Sequence, residues 1–110
     1  MQGIRIVQLP IFSSLVDRYL TELEYWELQE TVAAQPDLGA LIPGGKGLRK
    51  LRWAIKRRGK GKSGGIRVIY YWLQQPSVVY FLTLYAKSTQ ENLTKEQLKI
   101  FAALVERELK

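Results

Sequence analysis

The residues best equipped for chemistry are basic and evenly spaced. Lys50, Arg52 and Lys56 are separated by even steps, while Leu51, Trp53 and Ile55 occupy the alternate positions. In an extended strand that spacing puts the cations on one face and the apolar side chains on the other. Cations gathered this way repel one another unless solvent or a phosphate chain neutralises them. Arg67 poses the same demand more sharply, because it stands inside the apolar run Ile66-Arg67-Val68-Ile69-Tyr70-Tyr71. A guanidinium withdrawn from water there needs an anion. Tyr85 and Lys87 close the next apolar run. The candidate set for chemistry on a phosphate is therefore Arg67, Lys50, Arg52, Lys87 and Tyr85.

Composition removes most other chemistries. The 110 residues include no cysteine and no histidine, which excludes disulfides, thiolate and imidazole metal ligands, cysteine nucleophiles and imidazole proton shuttles. No carboxylate lies between Asp37 and Glu91, so no metal site and no cofactor is expected in the basic sector. The net charge of +7 is sectored: residues 1–45 sum to −4, residues 46–87 carry eleven cations and no acid, and residues 88–110 balance. An uninterrupted cationic sector fits a polyanionic partner, and nucleic acid is the leading class. Within it, Lys56 at the end of the strand and Arg57, Arg58, Lys60 and Lys62 of the glycine-rich basic loop over residues 57–65 are suited to RNA contact. Gly61-Lys62-Ser63 is not a phosphate-binding P-loop, because Lys56 replaces the required glycine and a strand, not a helix, follows. Asn92-Leu93-Thr94 matches a glycosylation sequon, but Thr94 is better explained as a helix cap.

The elements that must hold these side chains follow from periodicity. Residues 4–9 alternate as a short strand, and Pro10 then opens a helix with Phe12, Leu15, Val16 and Tyr19 on one face. Thr21 and Glu24 have capping-box spacing and start a second helix with a stripe of Tyr25, Leu28 and Val32, ended by Pro36. Residues 37–47 read as a connection rich in glycine and proline. Three strands follow, from Leu48 and over residues 66–73 and 78–85, joined too tightly for crossover helices and so antiparallel. Thr94 and Gln97 cap a last helix, with Leu98, Phe101 and Val105 facing the core. The expectation is a single α+β domain over residues 1–110, ordered β-α-α-β-β-β-α, with a small antiparallel sheet and the helices packed on one face. No apolar run spans a membrane and the first twenty residues lack a signal-peptide pattern, so the expected location is cytoplasmic.

Gly47-Leu48-Arg49-Lys50-Leu51-Arg52, the stretch Gly64-Gly65-Ile66-Arg67-Val68-Ile69-Tyr70-Tyr71 and the later Leu82-Thr83-Leu84-Tyr85-Ala86-Lys87 together resemble the RelE superfamily of bacterial toxins, most closely its HigB-type branch. The resemblance runs over nearly the whole chain. It implies a RelE-like fold and the toxin of a type II toxin–antitoxin pair. It further implies a metal-independent endoribonuclease, an mRNA interferase acting in the ribosomal A site to inhibit translation. The implied partners are mRNA, the ribosome, a cognate antitoxin protein and, through that antitoxin, operator DNA; no membrane is involved. By the same resemblance Arg67 contacts the cleaved phosphate, Lys50 and Arg52 match the basic residues of the preceding strand, and Lys87 matches a basic position after the last strand. Some members use a tyrosine in the final helix, and none follows Tyr85 here.

Attack by a neighbouring 2′-hydroxyl needs that hydroxyl deprotonated, the phosphorane stabilised and the leaving 5′-oxygen protonated. Arginine and lysine supply the second requirement directly. For the general base, Lys50, Lys56, Tyr85 and a carboxylate such as Glu91 all remain open. The alternative reading is a non-catalytic RNA- or ribosome-binding module, since a basic sheet with aromatics also suits single-stranded RNA.

Overall fold

The computed structural model describes residues 3–55 and 65–110. Its elements are β1 (Arg5–Gln8), α1 (Pro10–Tyr19), α2 (Glu22–Ala34), β2 (Ala40–Leu41), β3 (Leu48–Trp53), β4 (Ile66–Leu73), β5 (Val78–Ala86) and α3 (Lys95–Leu104). A wider π-type turn, Val105–Leu109, continues α3. Lys56, Arg57, Arg58, Lys60 and Lys62 lie outside the described residues.

Local signals fix the helix starts. Thr21 Oγ1 accepts the Glu24 backbone N–H at 3.1 Å, and Glu24 Oε1 accepts the Thr21 N–H at 2.8 Å. Thr94 and Gln97 repeat the arrangement at α3, at 3.0 and 2.9 Å. Each box satisfies two backbone donors that the first helical turn leaves without partners.

The described strands form one five-stranded sheet in the order β1-β5-β4-β3-β2. β3, β4 and β5 are the antiparallel meander expected from their short connections. Three expectations need correction. β1 runs parallel to β5, with Ile6 opposite Val79, so the sheet is mixed. The intervening helices and strands make the long crossover that a parallel pair requires. The connection over residues 37–47 contains β2, whose two residues pair with Lys50 and Arg49.

The third correction concerns the helices, which cover both faces rather than one. On the first face Phe12 and Val16 of α1 and Leu28 and Val32 of α2 pack with Leu51, Ile66, Val68, Tyr70, Val79 and Phe81. On the second, Phe101, Val105 and Leu109 pack with Leu48, Ile69, Tyr71, Leu82 and Tyr85. The cause is written in β4 and β5, which are apolar at nearly every position instead of alternating. Such strands must be buried on both sides. Each large apolar side chain so buried stabilises the fold by about 1.5–3 kcal/mol.

Tyr70 ties the sheet to the turn before β2. Its hydroxyl accepts the Gly39 N–H at 2.8 Å and donates to Pro36 O at 2.7 Å. A Cβ at position 39 would lie 2.9 Å from the Tyr70 ring, so only glycine fits there. Gly47, at φ +108°, faces Tyr71 in the same way, with 2.8 Å between a hypothetical Cβ and that ring.

Candidate functional site

Cross-strand register assembles the site. Arg52 of β3 pairs with Arg67 of β4, which pairs with Tyr85 of β5. Directly opposed residues of antiparallel strands share a face, so these three form one row across the sheet. Lys50 stands two residues from Arg52 and faces the same way. A bulge sets the last member of the row. Tyr70 pairs with Phe81 while Ile69 pairs with Thr83, which leaves Leu82 as an extra residue of β5. Without that slip Leu84 would oppose Arg67.

The row lies on the face that α3 covers, at the end met by residues 87–93. Arg67 is only 5% exposed. Its Nε and one terminal nitrogen donate to Glu91 Oε2 at 3.2 and 2.9 Å, and the other terminal nitrogen donates to Ile66 O at 3.4 Å. The anion that a buried arginine demands is thus present inside the chain itself. Glu91 is held below the usual carboxylate range, chiefly by the Arg67 hydrogen bonds; burial opposes them, and the charges of Arg67, Lys50 and Arg52 add to the lowering. Lys50 Nζ donates to Asn92 Oδ1, the residue next to Glu91.

The Tyr85 hydroxyl is buried and has no hydrogen-bond partner among the described residues. Burial pushes its pKa up; Arg67 pulls it down and Glu91 pushes it up. The phenol therefore keeps its proton at neutral pH. Arg52 is exposed and Lys50 half-buried. A cleft of about 740 Å³ opens beside them, bounded also by Leu41, Trp53, Asn92 and Leu93. Lys87 stands one residue beyond β5 with its side chain exposed, and its backbone N–H donates to Gly65 O at 3.1 Å.

Of the candidates read from sequence, the structure brings Arg67, Arg52, Tyr85 and Lys50 together. It leaves Lys87 at the margin. The sequence offers Glu91 only as a proton acceptor, not as the partner of Arg67, and Asn92 only as part of a chance sequon. A signal existed for the first, because Glu91 is the first carboxylate after the acid-free stretch that begins beyond Asp37. Among the described residues no three carboxylates, histidines or cysteines converge on a common point.

The family described as the RelE toxin of the RelE/RelB toxin–antitoxin system matches residues 27–110, which include β2 to β5, α3 and every member of the site. This chain belongs to the RelE toxin family. A solved structure of a double arginine-to-alanine variant of the Escherichia coli toxin RelE, in the free state, is similar over 93% of this chain and 96% of that one. The TM-score is 0.54 and the sequence identity 15%, so the likeness is one of fold. Membership makes the chain a toxin component whose system includes an antitoxin. No described helix is long and apolar enough to cross a membrane.

Proposed function

We propose that this toxin is a metal-independent endoribonuclease of the HigB-type branch that cuts mRNA in the A site of the ribosome, in the cytoplasm, and is silenced by its antitoxin. The observation that carries the reading is the row Arg52–Arg67–Tyr85 with Lys50 beside it. Three cations and a protonated phenol on one rigid face match the charge and the proton that RNA cleavage requires. The 2′-oxygen attacks phosphorus, the bond from phosphorus to the 5′-oxygen breaks, and the products are a 2′,3′-cyclic phosphate and a 5′-hydroxyl. The 2′-hydroxyl proton leaves to water. Arg67, with Arg52 and Lys50, stabilises the charge that gathers on the phosphorane oxygens. Tyr85 gives its proton to the departing 5′-oxygen and regains one from solvent. Lys87 and the basic segment Lys56, Arg57, Arg58, Lys60 and Lys62 extend the contact along the phosphate chain, and binding to operator DNA runs through the antitoxin.

The test is a bacterial cell-free translation reaction given the protein or its Arg67→Ala variant, with 5′ ends mapped on the messenger in the presence and absence of ribosomes. Cuts that require both Arg67 and ribosomes support the reading. An intact messenger with translation blocked would instead favour a non-catalytic ribosome-binding module.

A further inference from the structure

A substrate that needs Arg67 meets an occupied arginine. The Arg67 side chain is 7% exposed, and the edge formed by Nε and a terminal nitrogen is taken by Glu91 Oε2. That edge offers the two parallel N–H groups that suit a phosphate best. The neighbouring Asn92 takes the Lys50 ammonium in the same manner. Gln90 anchors the segment, its Nε2 donating to Asn92 O at 2.9 Å and to Gln97 Oε1 at 3.0 Å at the cap of α3. The Tyr85 hydroxyl, in the same electrostatic neighbourhood as Arg67 and Glu91, is buried without a partner among the described residues. Glu91 itself is 47% exposed, so it can leave Arg67 for water without disturbing the core.

We propose that residues 87–93 form an autoinhibitory latch, in which Glu91 and Asn92 occupy Arg67 and Lys50 until a substrate phosphodiester displaces them. The proposal rests on the reading of this row as a phosphodiester site. Displacement exchanges one anion for another on Arg67 and supplies a partner that the Tyr85 hydroxyl lacks among the described residues. Because the carboxylate is tethered, it competes at high effective concentration. A lone phosphate loses that competition, whereas an RNA strand that engages Arg52, Lys50 and Arg67 together wins it.

The experiment compares the complete protein with Glu91→Gln, which keeps the shape and removes the charge, using a labelled trithymidylate that lacks 2′-hydroxyls and so is not cut. The variant is expected to bind about tenfold more tightly, the equivalent of one charge-assisted hydrogen bond no longer broken. In the unaltered protein the Arg67 Nε–H resonance should shift on saturation with the same oligonucleotide; this readout serves also where the variant folds poorly. As pH falls and Glu91 is protonated, the two affinities should converge. The charged groups facing Glu91 are Arg67 from β4 and Lys50 and Arg52 from β3, with the Tyr85 phenol from β5. Equal or weaker binding by Glu91→Gln, or an Arg67 resonance unmoved at saturation, overturns the latch. So does loss of cutting with affinity unchanged, which makes Glu91 a proton acceptor. Tighter binding by the variant while neither protein cuts RNA upholds the latch and sinks the ribonuclease reading.

Discussion

The two faces of the sheet are built differently. Toward α1 and α2 the contacts are aromatic and continuous: Phe12 stacks on Phe81 with ring centroids 5.1 Å apart, and Tyr25 and Tyr70 meet Phe81 edge-on at 6.0 and 6.1 Å. Toward α3 the apolar cluster, which includes the Tyr85 ring, covers only part of the face, and the rest holds Arg67, Lys50 and Arg52. The one buried charge among them, the Arg67 guanidinium, is tolerated because Glu91 pairs it and the opposite face supplies packing. On the proposed function, stability and chemistry are separated by the thickness of one sheet.

That separation can be broken from the structural side first. Phe81→Ala is expected to cost about 3–5 kcal/mol in urea or thermal unfolding, since it opens a cavity where three aromatic rings meet. A cost below about 1 kcal/mol would mean the first face is not the main source of stability. Tyr85→Phe probes the other face. It should slow cleavage about 100-fold, the size of a lost proton donor, while leaving the unfolding midpoint nearly unchanged because the hydroxyl has no partner to lose among the described residues. The raised pKa of Tyr85 adds a sign: cutting should persist through mildly alkaline pH and fall only as pH rises beyond the ordinary phenol value of 10.0. An unchanged rate in the variant removes Tyr85 from the mechanism.

Smaller effects sharpen the contrast. Tyr70→Phe leaves the Gly39 N–H and Pro36 O without their side-chain partner and should cost about 1–3 kcal/mol, with cleavage intact in the folded fraction. The Glu91–Arg67 pair should give the weakest signal in stability. The Glu91 pKa is lowered in the fold, so its contribution is whole above the ordinary value of 4.5 and lost as pH falls through the lower folded value. Melting temperatures of the protein and Glu91→Gln should therefore draw together in that acidic window. A difference independent of pH would mean the carboxylate's charge adds nothing.

How much of this was legible in the sequence depends on whether the information is local. Both capping boxes were, because three-residue spacing is enough to place Thr21 with Glu24 and Thr94 with Gln97. The facing of Lys50 and Arg52 was, because a strand alternates. The pairing of β1 with β5 was not, since two segments seventy residues apart carry no shared pattern that states their neighbourhood. β2 escaped notice because two residues are too few for any period. The bulge at Leu82, which decides that Tyr85 opposes Arg67, is a property of two strands together. The second buried face is written in the nearly unbroken apolar runs of β4 and β5, which a period of two does not register. Arg67 showed its need for an anion, but not that Glu91 meets it.

The most direct test of the division between a packing face and a working face is Arg67→Ala, measured in parallel by urea unfolding and by single-turnover cleavage of ribosome-bound messenger. Cleavage should fall at least about 100-fold, as expected for removal of the main stabiliser of phosphorane charge, while the unfolding midpoint moves little. Cleavage that survives, or that falls only in proportion to unfolding, would contradict the account.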